Sequence, residues 1–239
     1  MRFRILAAFL IGLGLLSCSD TPETNSILVA NIKDLNKGTV YLERLQDSSL
    51  IRIDSVLVDG QSPLTLGTNL DSPEVLYVHV LVDASELIDT RIPIFMEPGT
   101  VELFTRLNNL QGASVIKGSA NHEKWQEYKQ SMARFTDRNL ELIKALIESG
   151  KDQNDSLTAA IEAQQVQLVR SKYLATINFA KNNTAYAVSP YVVLNEVRVA
   201  KNTYLDTVYN ALQDSVKTGT YGKELFALIN QQQEAAGDQ

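Results

Sequence analysis

Residues 75–82 read Val75-Leu76-Tyr77-Val78-His79-Val80-Leu81-Val82. Successive side chains of an extended chain point to opposite sides, so Leu76, Val78, Val80 and Val82 share one face, and Tyr77 and His79 share the other. The β-branched content and the period of two identify a strand with one buried face. Similar runs extend on both sides of it, from Ile27 to Lys117. Turn-forming groups separate them: Asn36-Lys37-Gly38, Gln46-Asp47-Ser48, Asp59-Gly60 and Glu97-Pro98-Gly99. Glycine tolerates positive φ and proline presets a corner, so each group ends one strand and begins the next. Seven or eight short strands at this spacing predict an antiparallel β-sandwich or open barrel over residues 27–118.

The period changes after Ser119. Trp125, Tyr128, Met132, Phe135, Leu142 and Leu146 follow helical steps of three and four, and Gly150 is expected to close that helix. A second helix is predicted from Asp155 to about Ala180, with the stripe Val166, Val169, Tyr173, Ile177 and Ala180. Two helices of this length predict a long antiparallel hairpin. Ser189-Pro190 reads as an N-cap with proline in the first turn. Thr203 is a candidate cap for a helix reaching Gln213, and Thr220 or Tyr221 opens a last helix ending near Gln233. The predicted fold class is therefore α+β, with residues 119–239 helical.

The front of the chain carries a different message. Arg2 and Arg4 precede a run, Ile5 to Leu16, that is apolar apart from its glycines. A basic start followed by a short apolar core is a secretion signal, here residues 1–17. A bilayer-spanning helix needs about 20 apolar residues, so a permanent transmembrane anchor is not expected. Leu15-Leu16-Ser17-Cys18 resembles the bacterial lipobox, which implies cleavage between Ser17 and Cys18 and lipidation of the Cys18 thiol. Acyl chains contribute about 0.8 kcal/mol per buried CH₂, so several on one residue anchor stably. Residues 18–26 then form a polar, lipidated tether. Ser19 stands where the enterobacterial sorting rule permits transfer to the outer membrane. The expected location is the cell envelope.

Cys18 is the one cysteine. That excludes a disulfide, a Cys-x-x-Cys redox pair and a cysteine-rich zinc site in this chain. The net charge is −6, and loss of Arg2 and Arg4 takes it to −8. An acidic body disfavours nucleic acid and direct adsorption to anionic lipid.

A family resemblance rests on Gly38-Thr39-Val40-Tyr41-Leu42, Ile53-Asp54-Ser55, Val58-Asp59-Gly60, Ile94-Phe95-Met96-Glu97-Pro98-Gly99 and Val115-Ile116-Lys117-Gly118-Ser119. In the helical half it rests on Ser189-Pro190-Tyr191 and on Ser215 to Leu225, especially Tyr221-Gly222-Lys223. These resemble a domain of unknown function, with its helical region, that stands before the thioredoxin-like domain in thiol-disulfide oxidoreductases of Gram-negative bacteria. The motifs are turns and core positions. The resemblance implies a fold, and a thioredoxin-like partner or downstream domain. It implies no redox activity here, because the Trp-Cys-x-x-Cys site of that domain is not in this sequence.

Other chemistry is sparse. His79 and His122 are the two histidines, and both are expected at the surface or an edge. Glu141, Glu148, Asp155 and Glu162 flank apolar stripes, as on solvated helix faces, whereas general acid–base work needs carboxylates converging in a pocket. Tyr186, Tyr191, Tyr204, Tyr209 and Tyr221 cluster late in the chain. Interior packing is their expected role, and a binding surface, such as one for glycan, is the alternative. Four Asp-Ser/Thr-apolar triplets resemble an envelope O-glycosylation pattern, with Ser55, Ser156, Thr207 and Ser215 as candidate acceptors. Each is equally an N-cap or a strand edge. No metal, cofactor or catalytic residue is expected. The functional expectation is a membrane-tethered, non-catalytic binding or scaffolding module. The alternatives are an accessory of a thioredoxin-like enzyme and a glycan- or nutrient-binding lipoprotein.

Overall fold

The structure, a computed structural model, describes residues 24–82, 91–151 and 154–237. The signal segment, Ser17 and Cys18 lie outside the described residues. Eight strands come first: β1 Ser26–Lys33, β2 Lys37–Gln46, β3 Ser49–Asp59, β4 Leu64–Thr68, β5 Glu74–Leu81, β6 Arg91–Met96, β7 Gly99–Arg106 and β8 Val115–Lys117. They form two four-stranded sheets, ordered β4-β1-β7-β8 and β3-β2-β5-β6, and neither closes into a barrel. The second sheet is antiparallel throughout. The first is mixed, because β1 and β7 run parallel, with Ser26 opposite Gly99.

The expected alternation builds the core between the sheets. Leu28, Ala30, Leu66, Val101 and Leu103 from one sheet meet Val40, Leu42, Leu76, Val78, Val80, Ile92 and Ile94 from the other. Val82, assigned by alternation to the same face, falls past the end of β5 and is exposed. The β2–β3 connection is a two-residue turn with positive φ at both Asp47 (48°) and Ser48 (68°). That is the backbone twist a tight hairpin favours. The fold also reaches back into the expected tether. Asn25 bonds Asn69 and Leu70, and β1 begins at Ser26.

Six helices follow: α1 Ala120–Lys151, α2 Asp155–Asn182, α3 Val188–Glu196, α4 Asn202–Ala211, α5 Asp214–Lys217 and α6 Thr220–Gly237. Helices α1 and α2 form the antiparallel hairpin, tied at successive levels by Ser149 to Thr158, Arg138 to Gln164 and Tyr128 to Thr176. At 1.5 Å per residue, α1 is about 48 Å long. Gly150 does not end it; the helix runs one residue further. The α1 stripe is as expected, with Tyr128, Met132, Phe135 and Leu142 buried.

The α2 stripe is covered along only half its length. Ile177 and Ala180 are buried and Tyr173 half-buried beneath α3, α4 and α6, but Val166 and Val169 are 61% and 50% exposed. They share one face, and the second helical layer stops short of them. The face of α2 turned to α1 carries Ile161, Leu168 and Thr176 instead.

Helices α2 and α6 start at Asp155 and Thr220, as read from the sequence, but several helix starts take acceptors from distant parts of the chain. Ser119 Oγ accepts from the His122 N–H, and Glu97, two strands earlier, accepts from the Ala120 N–H at 2.7 Å. A carboxylate there is favoured by the helix dipole. Helix α3 starts before Ser189-Pro190; Asn121 accepts the Val188 N–H at 3.2 Å, while the Ser189 hydroxyl donates to the Asn183 carbonyl. Thr203 lies inside α4, which ends at Ala211. Ser72 Oγ accepts the Thr220 N–H at 2.9 Å and so caps α6.

Phe95 is the centre of the joint between the two halves. It sits on the outer face of the antiparallel sheet, 0% exposed. Trp125, Tyr191 and Tyr221 meet its ring edge-to-face at centroid distances of 6.1, 5.4 and 5.9 Å. Such pairs contribute about 0.5–1.5 kcal/mol each beyond area burial. The Tyr221 hydroxyl also accepts the Val75 N–H at 2.8 Å, a donor beyond the reach of β2. Gly222 follows because a Cβ there would strike the Val216 and Lys217 carbonyls. Replacing Tyr221 by Phe keeps the ring and orphans that N–H, so we expect a loss of about 1–2 kcal/mol in urea unfolding at pH 7.

Candidate functional site

Both histidines are interior, contrary to the surface or edge placement the sequence suggested. His79 is 1% exposed and His122 2% exposed. The reading failed at His79 because it took the second face of β5 as solvated. That face is covered too, by α-helical side chains around Val75 and Tyr77 and by a polar cluster at His79.

The cluster is built across three strands. Glu43 on β2, itself 2% exposed, accepts from His79 Nδ1 at 3.0 Å and from Arg91 Nε at 2.7 Å. The Arg52 Nε lies 3.7 Å from the same carboxylate, and its guanidinium stacks 4.0 Å over Tyr41. Burial by itself raises the Glu43 carboxyl. The hydrogen bonds and charges of Arg91 and His79 more than offset it and hold the group below the usual carboxylate range. Both carboxylate oxygens are occupied, so the arrangement acts as a cross-strand staple binding β2, β5 and β6.

His122 sits beneath the aromatic joint. Its Nδ1 accepts the Phe95 N–H at 3.2 Å, and its Nε2 lies 2.9 Å from the Gln126 side-chain amide. Burial, with a smaller contribution from the Lys129 charge, pushes its pKa down to about 4. Lys129 in turn lies 4.1 Å over the Trp125 ring, and burial lowers its own pKa. Burial likewise raises the Tyr191 and Tyr221 phenols.

The other candidates are dispersed. Glu141, Glu148, Asp155 and Glu162 are all exposed, and Glu141 pairs with Arg138. Among the described residues no group of three or more His, Cys, Asp and Glu side chains is placed to hold a metal. Ser55, Ser156, Thr207 and Ser215 are all exposed. Asp54, beside Ser55, has a structural role: its carboxylate accepts from the Gly67 N–H at 2.7 Å and joins β3 to β4. Among the late tyrosines, Tyr186, Tyr191, Tyr209 and Tyr221 pack against the helical and junction cores, whereas Tyr204 is 44% exposed.

Sequence reasoning missed a groove. Gln167, Arg170, Tyr173, Leu174 and Ile177 of α2 form one wall, and Val199, Ala200, Lys201 and Tyr204 form the other, enclosing about 530 Å³. Its signal was present in the α2 stripe, whose outer members lack a covering helix. A smaller cavity of about 130 Å³ lies at the joint, bounded by Ser72, Asn121, Ser215 and Tyr221.

Residues 27–125 match the family model described as "Domain of unknown function (DUF4369)". The match takes in all eight strands, from the second residue of β1, and runs into α1 as far as Trp125, whose ring meets Phe95. No curated protein and no solved structure matches the chain significantly.

Two measurements check these environments. Glu43→Gln leaves Arg91 and His79 without their carboxylate, and we expect a loss of about 3 kcal/mol at pH 7 by urea unfolding. For His122, the unfolded chain takes up a proton near pH 6.5 and the folded chain only near pH 4. Stability is complete above about 6.5 and falls as pH drops towards 4, by up to about 3 kcal/mol. Comparing the pH dependence of wild type and His122→Gln isolates this contribution; we expect a flatter acid limb in the variant.

Proposed function

We propose that this chain is an envelope lipoprotein, held at a membrane by acylated Cys18, whose body is a non-catalytic binding or scaffolding module. The observation that carries the reading is the sequence Leu15-Leu16-Ser17-Cys18 directly behind a basic start and a short apolar run. The fold is compatible with it. The first residue bonded into the sandwich is Asn25, seven positions after Cys18. Such a link reaches about 25 Å at full extension, so the body would stand close to the bilayer surface. Among the described residues no helix is long and apolar enough to cross a membrane. The Glu43 carboxylate is taken up by His79 and Arg91, and His122 Nδ1 by the Phe95 N–H, which supports a structural role for these groups.

A second reading, an accessory of a thioredoxin-like enzyme, draws on the match over residues 27–125 and on the motif resemblance described above. It predicts co-purification of a thioredoxin-fold protein and loss of that pairing when residues 187–239 are deleted. Glycan binding has weaker support, since four of the five late tyrosines serve packing and only Tyr204 is broadly exposed.

The exposed Ser55, Ser156, Thr207 and Ser215 remain the proposed O-glycosylation acceptors. Intact mass of the native protein from membranes reports lipid and glycan together. We expect diacylglycerol and acyl mass on Cys18, and we expect Cys18→Ser to accumulate unprocessed and to leave the detergent-extractable membrane fraction. A variant processed normally and retained as firmly as wild type would sink the anchor reading. Insulin reduction by the purified chain would sink the non-catalytic one.

A further inference from the structure

We propose that the groove between α2 and the α3–α4 connection seats an acidic amphipathic helix of a partner protein. This rests on the binding-module reading and names its surface. The first argument is continuity. Val166, Val169, Tyr173 and Ile177 form one line on α2, and the second helical layer covers only its Tyr173–Ile177 end. From Val166 to Ile177 is about 16 Å, or three helical turns. A helix laid along that line would continue the layer that α3 and α4 begin. It would read the stripe with anchors at i, i+3 or i+4, and i+7.

The second argument is charge. The chain is net −6, yet the groove is lined by Arg170 and Lys201 and by no acidic residue. Neither cation has an ion-pair partner among the described residues. The nearby Lys172, by contrast, is paired with Glu196 at 2.7 Å. The complement to an apolar floor with two unpaired cations is an apolar stripe flanked by carboxylates. A small amphiphilic anion would satisfy the cations and fill part of the 530 Å³. It would leave Val166 and Val169 uncovered, as would any occupant confined to the groove.

The probe is a pair of labelled 14-residue helical peptides sharing one leucine stripe, one flanked by Glu and the other by Lys, titrated by anisotropy into the full chain purified in detergent. We expect the Glu peptide to bind about tenfold tighter than the Lys peptide, with the preference reversed by combined Arg170→Glu and Lys201→Glu. Val166→Asp, at an exposed position, should weaken the Glu peptide about tenfold. Equal binding of both peptides, or no binding, overturns the proposal. So does sensitivity to Arg170→Glu with none to Val166→Asp, which would confine the occupant to the groove. A dimer in sedimentation that Val169→Asp abolishes also overturns it, because a second copy then covers the face. Mass analysis of Cys18 reads the anchor independently, so failure here leaves that reading standing.

Discussion

The structure depends on one sheet having two buried faces. Strands β5 and β6 turn Leu76, Val78, Ile92 and Ile94 into the sandwich and Val75, Tyr77 and Phe95 out of it. An apolar outer face on an antiparallel sheet must be covered, and here the covering is the helical half. Phe95 is the point of greatest demand, because a fully buried ring needs neighbours on every side. The aromatic contacts meet that demand, and the hydrogen bonds fix the angle. Helices α1 and α6 both have N-terminal donors satisfied by side chains of the strand half, Glu97 and Ser72. Orphan N–H groups at a helix start must find acceptors somewhere. Supplying them from the sandwich ties helix direction to sheet position.

That arrangement orders the rest of the helical region. Once α1 is aimed by Glu97 and by the Phe95 contact, the hairpin carries α2 back over it. Asn121 then passes the constraint on by capping α3. The short helices can cover only the portion of α2 nearest the sandwich. The hairpin outruns them, and the groove at Tyr173 and Ile177 marks where the second layer stops.

Much of this was legible in the chain because side-chain period is a direct physical consequence of backbone geometry. Alternation around Leu76 to Val80 located a strand, and steps of three and four around Tyr128 to Leu142 located a helix. Period alone does not say what covers a face. His79 was placed at the surface because polar residues alternating with apolar ones usually meet water, and the Glu43 carboxylate that balances it stands 36 residues away. Val166 and Val169 belong to the same stripe as Tyr173 and Ile177, yet coverage is decided by the length of other helices. The helix start at Val188 escaped for the same reason: its acceptor, Asn121, is 67 positions removed. The start at Thr220 was legible, but the Ser72 hydroxyl that caps it, 148 positions removed, was not. The Cys18 assignment stands on a local signal and owes nothing to the fold.

The parallel pairing of β1 with β7 has a kinetic corollary. Strand β1 is the first element of the sandwich to be synthesised and occupies an interior place in its sheet, between β4 and β7. Its longer ladder, to β7, cannot form until the chain from Gly99 to Arg106 exists. Closing so long a loop carries an entropic penalty that local hairpins such as β2–β3 escape. The first strand made must therefore wait, half-paired, for one of the last. For a chain that emerges amino end first, the interval before β7 arrives is when its apolar ribbon is most open to unwanted company.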